Sequence, residues 1–120
     1  MEEVALFNKF GKSVYRLCGD IVYDYQGKPR GFLVGKTVYD MRGQHRGFYM
    51  GNMMRDRMGK ILGFNENARS NGLELPFPEI PPVPYNNLPT PEEKPDGMVE
   101  RECPAQPPVW SIMQLQNLLV

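Results

Sequence analysis

Basic and aromatic side chains recur at matching positions of the sequence and could bind an anion. Arg30 and Arg46 stand sixteen residues apart, while the corresponding positions of two other segments hold Val14 and Leu62. Cationic groups beside aromatic rings are the combination that binds phosphates and stacks on nucleobases. The same arginines could also cover apolar surface with their stems or pair with nearby aspartates, which are purely structural roles. The candidate ligand-binding residues are Lys28, Arg30, His45, Arg46, Tyr23 and Tyr39.

Three aspartates recur with the same spacing, and Asn8 takes the place of a fourth. Carboxylates gathered at one end of a ring could ligate a hard cation. Each of these residues also precedes a glycine by three positions, which is the spacing of a turn that begins with Asx and closes on a left-handed glycine. The turn role explains the spacing completely. Because no phosphate-binding glycine loop, metal-ligand cluster or nucleophile elbow is present, we expect no catalytic residue, metal or cofactor. The aspartates are Asp24, Asp40 and Asp56.

A period of sixteen residues organises the first half of the chain and positions these side chains. Each of four copies in residues 1–67 contains an apolar residue, an amphipathic one, the Asx turn and a second strand-like run. A helix is excluded, because each of the frequent glycines would cost about 1 kcal/mol in a helix interior. Each copy is therefore predicted to be a β-hairpin. The apolar residues are Leu6, Val22, Val38 and Met54.

The predicted fold class is all-β, with the four hairpins arranged in a pseudo-fourfold ring. One hairpin alone cannot bury its apolar face, and closing the ring removes most open strand edges. A second glycine, at Gly31, Gly47 and Gly63, precedes a phenylalanine within the returning strand. Interior strand glycines mark the close approach of another group, so we expect an aromatic ring of a neighbouring repeat to cover each of them.

The composition changes after residue 67, where a proline-rich arm over residues 68–110 is predicted. Eleven of the twelve prolines lie between Pro76 and Pro108. Neither a sheet interior nor a helix accepts this density, so the arm should be extended or polyproline-like. Its several apolar residues favour packing along the ring, and a mobile linker or a polyproline ligand for a partner is the alternative.

A short amphipathic helix is predicted over residues 111–120. Ser111 and Gln114 have the spacing of a capping box, and apolar residues follow at intervals of three and four. Because so short a helix is unstable alone, its apolar side should complete the core or join subunits. The candidate interaction residues are Trp110, Ile112, Leu115, Leu118 and Leu119.

Charge and length place the chain among small soluble proteins. The 120 residues carry 14 basic and 14 acidic side chains, with 11 basic against 7 acidic through Glu66 and 3 against 7 beyond it. A basic body with an acidic arm suits either intramolecular contact or an anionic partner. We expect a cytoplasmic protein without a membrane partner, because a signal peptide and any stretch of about 20 apolar residues are missing. Two cysteines in such a compartment should be free thiols.

The repeated phrase of an apolar residue, an aromatic residue, Asp-x-x-Gly and then Gly-Phe resembles the four-fold β-flower domain of bacterial proteins of unknown function. The resemblance spans about Glu3 to Glu66. The phrase is also similar to the Tyr-Asp repeats of large secreted bacterial shells, which use many more copies, and to the Asp-x-x-Gly hairpin of PRC-barrel domains. The resemblance implies a fold and supplies no catalytic residues.

Together these patterns predict a non-enzymatic binding or assembly module. Its expected partner is a protein, with a second copy of this chain as one possibility. The alternative is a nucleic-acid or small-anion binder that uses a basic face of the ring.

Overall fold

Eight antiparallel strands close into a barrel in the computed structural model, which describes residues 3–69, 72–82, 89–91 and 93–119. Each strand pairs with its neighbours in chain order, and the last pairs with the first. This arrangement confirms the predicted all-β ring of four hairpins. The strands are β1 (Glu3–Phe7), β2 (Ser13–Cys18), β3 (Ile21–Tyr23), β4 (Pro29–Val34), β5 (Thr37–Asp40), β6 (His45–Met50), β7 (Met53–Asp56) and β8 (Ile61–Phe64).

Each hairpin turns on an Asp or Asn whose side-chain oxygen binds two backbone N–H groups, which confirms the turn role of these residues. In the third hairpin, Asp40 Oδ1 accepts hydrogen bonds from Arg42 N at 2.9 Å and from Gln44 N at 3.0 Å. Gly43 then takes a φ of +82°, which glycine adopts without steric cost. The same pair of bonds forms at Asn8, Asp24 and Asp56.

One apolar residue of each repeat fills the same layer of the barrel interior. An eight-stranded barrel has an interior just wide enough for side chains, so four side chains at one level complete a layer. Burying each contributes about 1.5–3 kcal/mol. Because the four positions are sixteen residues apart, the repeat specifies the whole layer. They are Leu6, Val22, Val38 and Met54, and none has exposed surface.

The proline-rich arm covers the outer face of the barrel and contacts the four repeats in chain order. Hydrogen bonds join Glu79 to the first repeat, Pro89 to the second, Val99 to the third and Pro107 to the fourth. The described part of the arm therefore packs along the ring, as one of the two alternatives predicted. In the last three repeats the donors share one repeat position, occupied by Tyr23, Tyr39 and Arg55.

The C-terminal segment contains a single 3-10 turn, Leu115–Asn117, where the sequence predicts a longer helix. Ser111 Oγ accepts a hydrogen bond from Met113 N at 3.1 Å and makes a local turn in place of the predicted capping box. Gln114, which would be inside the helix, is extended, with φ −93° and ψ 144°. A segment this short has little helical stability of its own, so the burial of its leucines decides its conformation.

Within the described residues, no helix has the length and hydropathy to cross a membrane.

Three leucines close the end of the barrel at which the four hairpin turns lie, and we call Leu115, Leu118 and Leu119 the C-terminal plug. They are at most 3% exposed and share a core with the interior layer. A Cβ added at Gly63 would stand 2.7 Å from Leu115 Cδ2, and one at Gly31 would stand 3.1 Å from the Leu119 methyl groups. The prediction that aromatic rings cover these glycines is wrong, because backbone carbonyls of the adjacent repeat and the plug lie there instead.

The ring is least tightly closed between β8 and β1, a junction that we call the seam. Three or four residue pairs join each of the other repeats to the next, but Phe7 and Phe64 form the single pair described here. The chain leaves the sheet at Asn65, whose side-chain amide donates to Asn52 Oδ1 at 3.0 Å. On this side, the segment Glu3–Leu6 therefore has no partner strand among the described residues.

Candidate functional site

The structure divides the predicted anion-binding residues between two faces of the sheet. His45 and Arg46 are neighbours on β6, so their side chains point to opposite faces. The His45 ring lies on the outer face, with its centroid 5.9 Å from that of Tyr39 and 4.9 Å from that of Phe48. Burial lowers the pKa of His45 below its usual value and so favours the neutral ring.

The two tyrosines of the predicted site are buried beneath the arm. Tyr23 Oη donates a hydrogen bond to the Pro89 carbonyl at 3.2 Å. Tyr39 Oη donates to the Val99 carbonyl and accepts from Val99 N at 3.1 Å and from Arg101 Nε at 3.3 Å. Neither ring offers an open face on which a nucleobase could stack.

Arg30 and Arg46 each pair with the aspartate of their own turn, which confirms their predicted structural role. Arg46 Nε lies 3.0 Å from Asp40 Oδ2, and Arg30 Nε lies 3.1 Å from Asp24 Oδ2. Burial by itself would raise the pKa of Asp40, but hydrogen bonds from two backbone N–H groups and from Arg46 outweigh it and hold that pKa below its usual value. Both arginine side chains remain 36% exposed.

Basic side chains from all four turns meet at the plugged end of the barrel, which we call the basic tip end. Alternate connections of an up-and-down barrel share one end, so the topology gathers them there. The three turn aspartates at this end each bind backbone N–H groups of their own turn. A cavity of about 200 Å³ lies between Arg30, Arg42 and Leu119. The exposed cations of this end are Lys12, Lys28, Arg42, Arg57 and Lys60.

A larger cavity of about 620 Å³ opens along the seam, between the outer face of β1 and the arm, and we call it the seam groove. Ala5 and Phe7 form its apolar floor, and residues 78–82 of the arm lie over it. Its described lining contains acidic but no basic side chains. The lining residues are Glu3, Ala5, Phe7, Tyr25, Glu66, Pro78, Glu79, Ile80, Pro81 and Pro82.

Three carboxylates border the seam groove. Glu3 accepts a hydrogen bond from Arg16, which holds the pKa of Glu3 below its usual value. Glu79 Oε2 accepts from Ser13 N at 3.1 Å and so holds the arm over the first hairpin. Glu66 is exposed at the rim. The groove therefore joins an apolar floor to a negative rim, which suits an apolar segment that carries positive charge.

Comparison with known protein families matches residues 4–119 to the 4-fold beta flower protein family. The chain belongs to this family. The match spans the arm and the plug as well as the four hairpins, so the β-flower unit here is almost the whole chain. Neither the curated proteins nor the solved structures contain a match to it.

The predicted interaction residues of the β-flower chain occupy different environments. The three plug leucines lie in the core of the chain itself, which is one of the two roles predicted for them. Trp110 is half-buried, and its ring makes an edge contact with Phe64 at a centroid distance of 6.5 Å. Ile112 is 95% exposed.

The seam groove is not predicted by the repeat, although one residue of the fourth copy indicates it. The returning strand carries Leu17, Leu33 and Tyr49 in the first three repeats, and Asn65 at the same position in the fourth. A polar residue in an otherwise apolar strand position indicates that the strand ends early. In the β-flower chain, it is at Asn65 that the chain turns away from β1.

Metal-ligand clusters and disulfides are absent from the described part of the β-flower chain. No three His, Cys, Asp or Glu side chains of that part come together as metal ligands. Neither Cys18 nor Cys103 forms a disulfide among these residues, in keeping with the prediction from the sequence.

Proposed function

We propose that this β-flower protein is a non-enzymatic binding module that receives a segment of a protein partner in the seam groove. The observation that carries the proposal is the position of the groove, at the junction where a single pair of described residues joins the ring. Ligand sites are concave, largely apolar and furnished with a few polar groups. The seam groove has each of these properties.

A protein partner suits the groove because its surroundings are extended and apolar. Proteins commonly receive an extended segment beside an open strand edge, and β1 presents such an edge. On the arm, Phe77 is 98% and Ile80 is 92% exposed, so a partner could cover both. Self-association is a variant of the same proposal. It would use this surface, because the plug leucines are already buried.

Binding is favoured over catalysis by the way in which the groove uses its carboxylates. Glu3 pairs with Arg16, and Glu79 accepts a backbone N–H. Both groups therefore hold structure in place, where acid–base chemistry would need carboxyls free to exchange a proton. We place the protein in the cytoplasm, because two cysteines that form no disulfide suit a reducing compartment.

The second candidate is a nucleic-acid or small-anion binder that uses the basic tip end. It is supported by the exposed cations of the four turns, which neutralise phosphates without requiring base contacts. Arg30 and Arg46 belong to this surface, whereas His45, Tyr23 and Tyr39 lie on the outer face. This candidate ranks second because Asp24 and Asp40 already pair with the two arginines.

A displayed library of random twelve-residue segments, selected on the full chain, tests the proposed function. We expect selected segments to bind wild type and an Ile112→Trp control equally, and Ala5→Trp at least tenfold more weakly, because the indole fills the groove. Segments that bind all three proteins equally would place the site elsewhere. Salt-sensitive binding of a single-stranded oligonucleotide, lost in Arg42→Glu/Lys60→Glu, would favour the second candidate.

A further inference from the structure

We infer that the segment bound in the seam groove adds to β1 as an extra antiparallel or parallel edge strand and carries lysine or arginine on its outward face. This inference rests on the proposed function of the same groove and names the chemistry of its ligand. It follows from the open backbone of β1, the alternation of side chains on an added strand, and the charge of the groove.

The backbone of β1 presents hydrogen-bonding groups at the seam that pair with no strand in the described part of the chain. Residues of an antiparallel strand direct their N–H and C=O groups alternately to the two sides. The backbone N–H and C=O groups of Phe7 point toward β8, where Phe7 pairs with Phe64. Ala5 and Glu3, two and four residues earlier, therefore direct theirs to the same side, on which no described strand pairs with them.

The other three repeats show what this edge lacks. Ile21, Thr37 and Met53 occupy the repeat position of Ala5, and each pairs with the end of the preceding hairpin. Their partners are Cys18, Val34 and Met50. An added strand beside Glu3–Leu6 would supply the missing pairs over about 13 Å of strand length.

An added strand would place alternate side chains in two environments. Its outward residues would lie over Ala5 and Phe7 and beneath the arm at Ile80, which all line the groove. The side chains of its other residues would point toward the barrel interior, at the level of Val4 and Leu6, which belong to the core there. The preferred segment therefore alternates between apolar residues and residues suited to the groove.

The charge of the groove selects a cation for those outward positions. Three of the ten described lining residues are glutamates and none is basic. Glu3 and Glu66 also line a neighbouring cavity of about 260 Å³, so two carboxylates flank the open edge on both sides. A lysine or arginine stem can cross the apolar floor and bring its charge to this rim.

A second copy of the chain fits this edge less well than a basic segment. Pairing of two β1 edges would bring the Glu3 and Glu66 carboxylates of both copies to one junction. Like charges that face each other across a strand pair are destabilising. The inferred partner is therefore a basic, extended segment of another protein.

Amide hydrogen exchange with defined peptides tests the inference. The probe is a capped hexapeptide of alternating valine and lysine, added to the labelled full chain. We expect it to slow exchange of the Ala5 amide at least tenfold at saturation, and to leave Ile21, which is already paired, unchanged. The matched peptide with glutamate for lysine, and a lysine peptide with N-methylated backbone on its pairing side, should bind at least tenfold more weakly.

Charge variants complete the test. Glu66→Lys should weaken the lysine peptide about two- to fivefold, the range of an exposed ion pair, and Glu93→Lys, exposed and outside the groove, should leave it unchanged. Binding without slowing of Ala5 would overturn strand addition and leave the proposed function intact. Failure of the lysine peptide to bind would overturn the inferred ligand class. Success or failure of the displayed library decides the proposed function separately.

Discussion

The same repeat position carries different side chains because each meets a different part of the arm. Tyr23 and Tyr39 use their hydroxyl groups to reach arm carbonyls, and Arg55 uses its guanidinium. Arg55 Nη1 donates to the Gly59 carbonyl at 2.7 Å and to the Pro107 carbonyl at 3.1 Å. Burial lowers the pKa of Arg55 below its usual value, and the nearby Cys103 and Asp56 offset part of this decrease. A buried cation at this position is therefore held by backbone acceptors.

The pairing of Asp40 with Arg46 predicts a pH-dependent effect of Asp40→Asn. Asn8 fills the same place in the first repeat, so the variant should keep its turn and lose about 0.5–1 kcal/mol of unfolding free energy at pH 7. The pKa of Asp40 lies below its usual 3.8 in the folded protein. Its charge therefore stabilises the fold above that value, and the contribution is lost as pH falls through the lower folded pKa. Urea unfolding from pH 5 downwards should show wild type losing its advantage over the variant.

Asp56→Asn is the matched control for this prediction. Asp56 Oδ1 makes the same two turn bonds, but Leu62 stands where the arginine would be. We expect a smaller loss at pH 7 than in Asp40→Asn. Equal losses in the two variants would show that Arg46 contributes nothing to stability.

At the scale of elements, local patterns predicted the hairpins and failed at the C-terminus. The spacing from Asp24 to Gly27 specifies a turn by contacts within five residues, so sequence alone suffices. The predicted helix after Ser111 depends on a capping box. The free energy that such a box contributes is smaller than that of burying three leucines in the barrel, so burial decides the conformation. The path of the arm was likewise beyond local inference, because Val99 meets Tyr39 across sixty residues of chain.

Two glycines with left-handed φ test whether the arm packs on the barrel. Gly51 and Gly59 have φ of +59° and +91°, so alanine at either should cost about 1–2 kcal/mol from left-handed strain. A Cβ at Gly59 would lie 1.8 Å from the Ala105 carbonyl oxygen, whereas one at Gly51 would meet no described residue beyond its chain neighbours within 4 Å. We expect Gly59→Ala to lose at least about 1 kcal/mol more unfolding free energy, because the arm must move. Equal losses would contradict a seated arm.

At the scale of the whole molecule, the arm and plug compensate for a small barrel. A piece of about 60 residues buries only about 60% of its extended-chain surface, so four hairpins alone are marginal. The arm covers their outer aromatic side chains, and the plug fills one end. The sequence repeat predicted the ring but could not predict the seam, because four identical repeats would pair β8 with β1 as fully as the other strands pair. Only the departure at Asn65 marks the opening.

Removal of the arm and plug should therefore unfold the barrel. Replacing one buried leucine by alanine costs about 2–5 kcal/mol, and whole domains are stable by about 5–15 kcal/mol. The loss of three plug leucines would therefore remove most or all of the free energy of unfolding. We expect a chain that ends at Asn71 to lack a cooperative thermal transition. Leu115→Ala should cost about 2–5 kcal/mol, and Ile112→Ala, at an exposed position, almost nothing.

Light scattering with thermal unfolding distinguishes the two roles that the sequence allows for the C-terminal leucines. A full chain that is monomeric and cooperative, beside a shortened chain that is unfolded, assigns them to the core. A shortened chain that remains a folded monomer, with nearly the unfolding free energy of an oligomeric full chain, would contradict the plug. Its leucines would then be free to join subunits, and the search for a partner would begin with the protein itself.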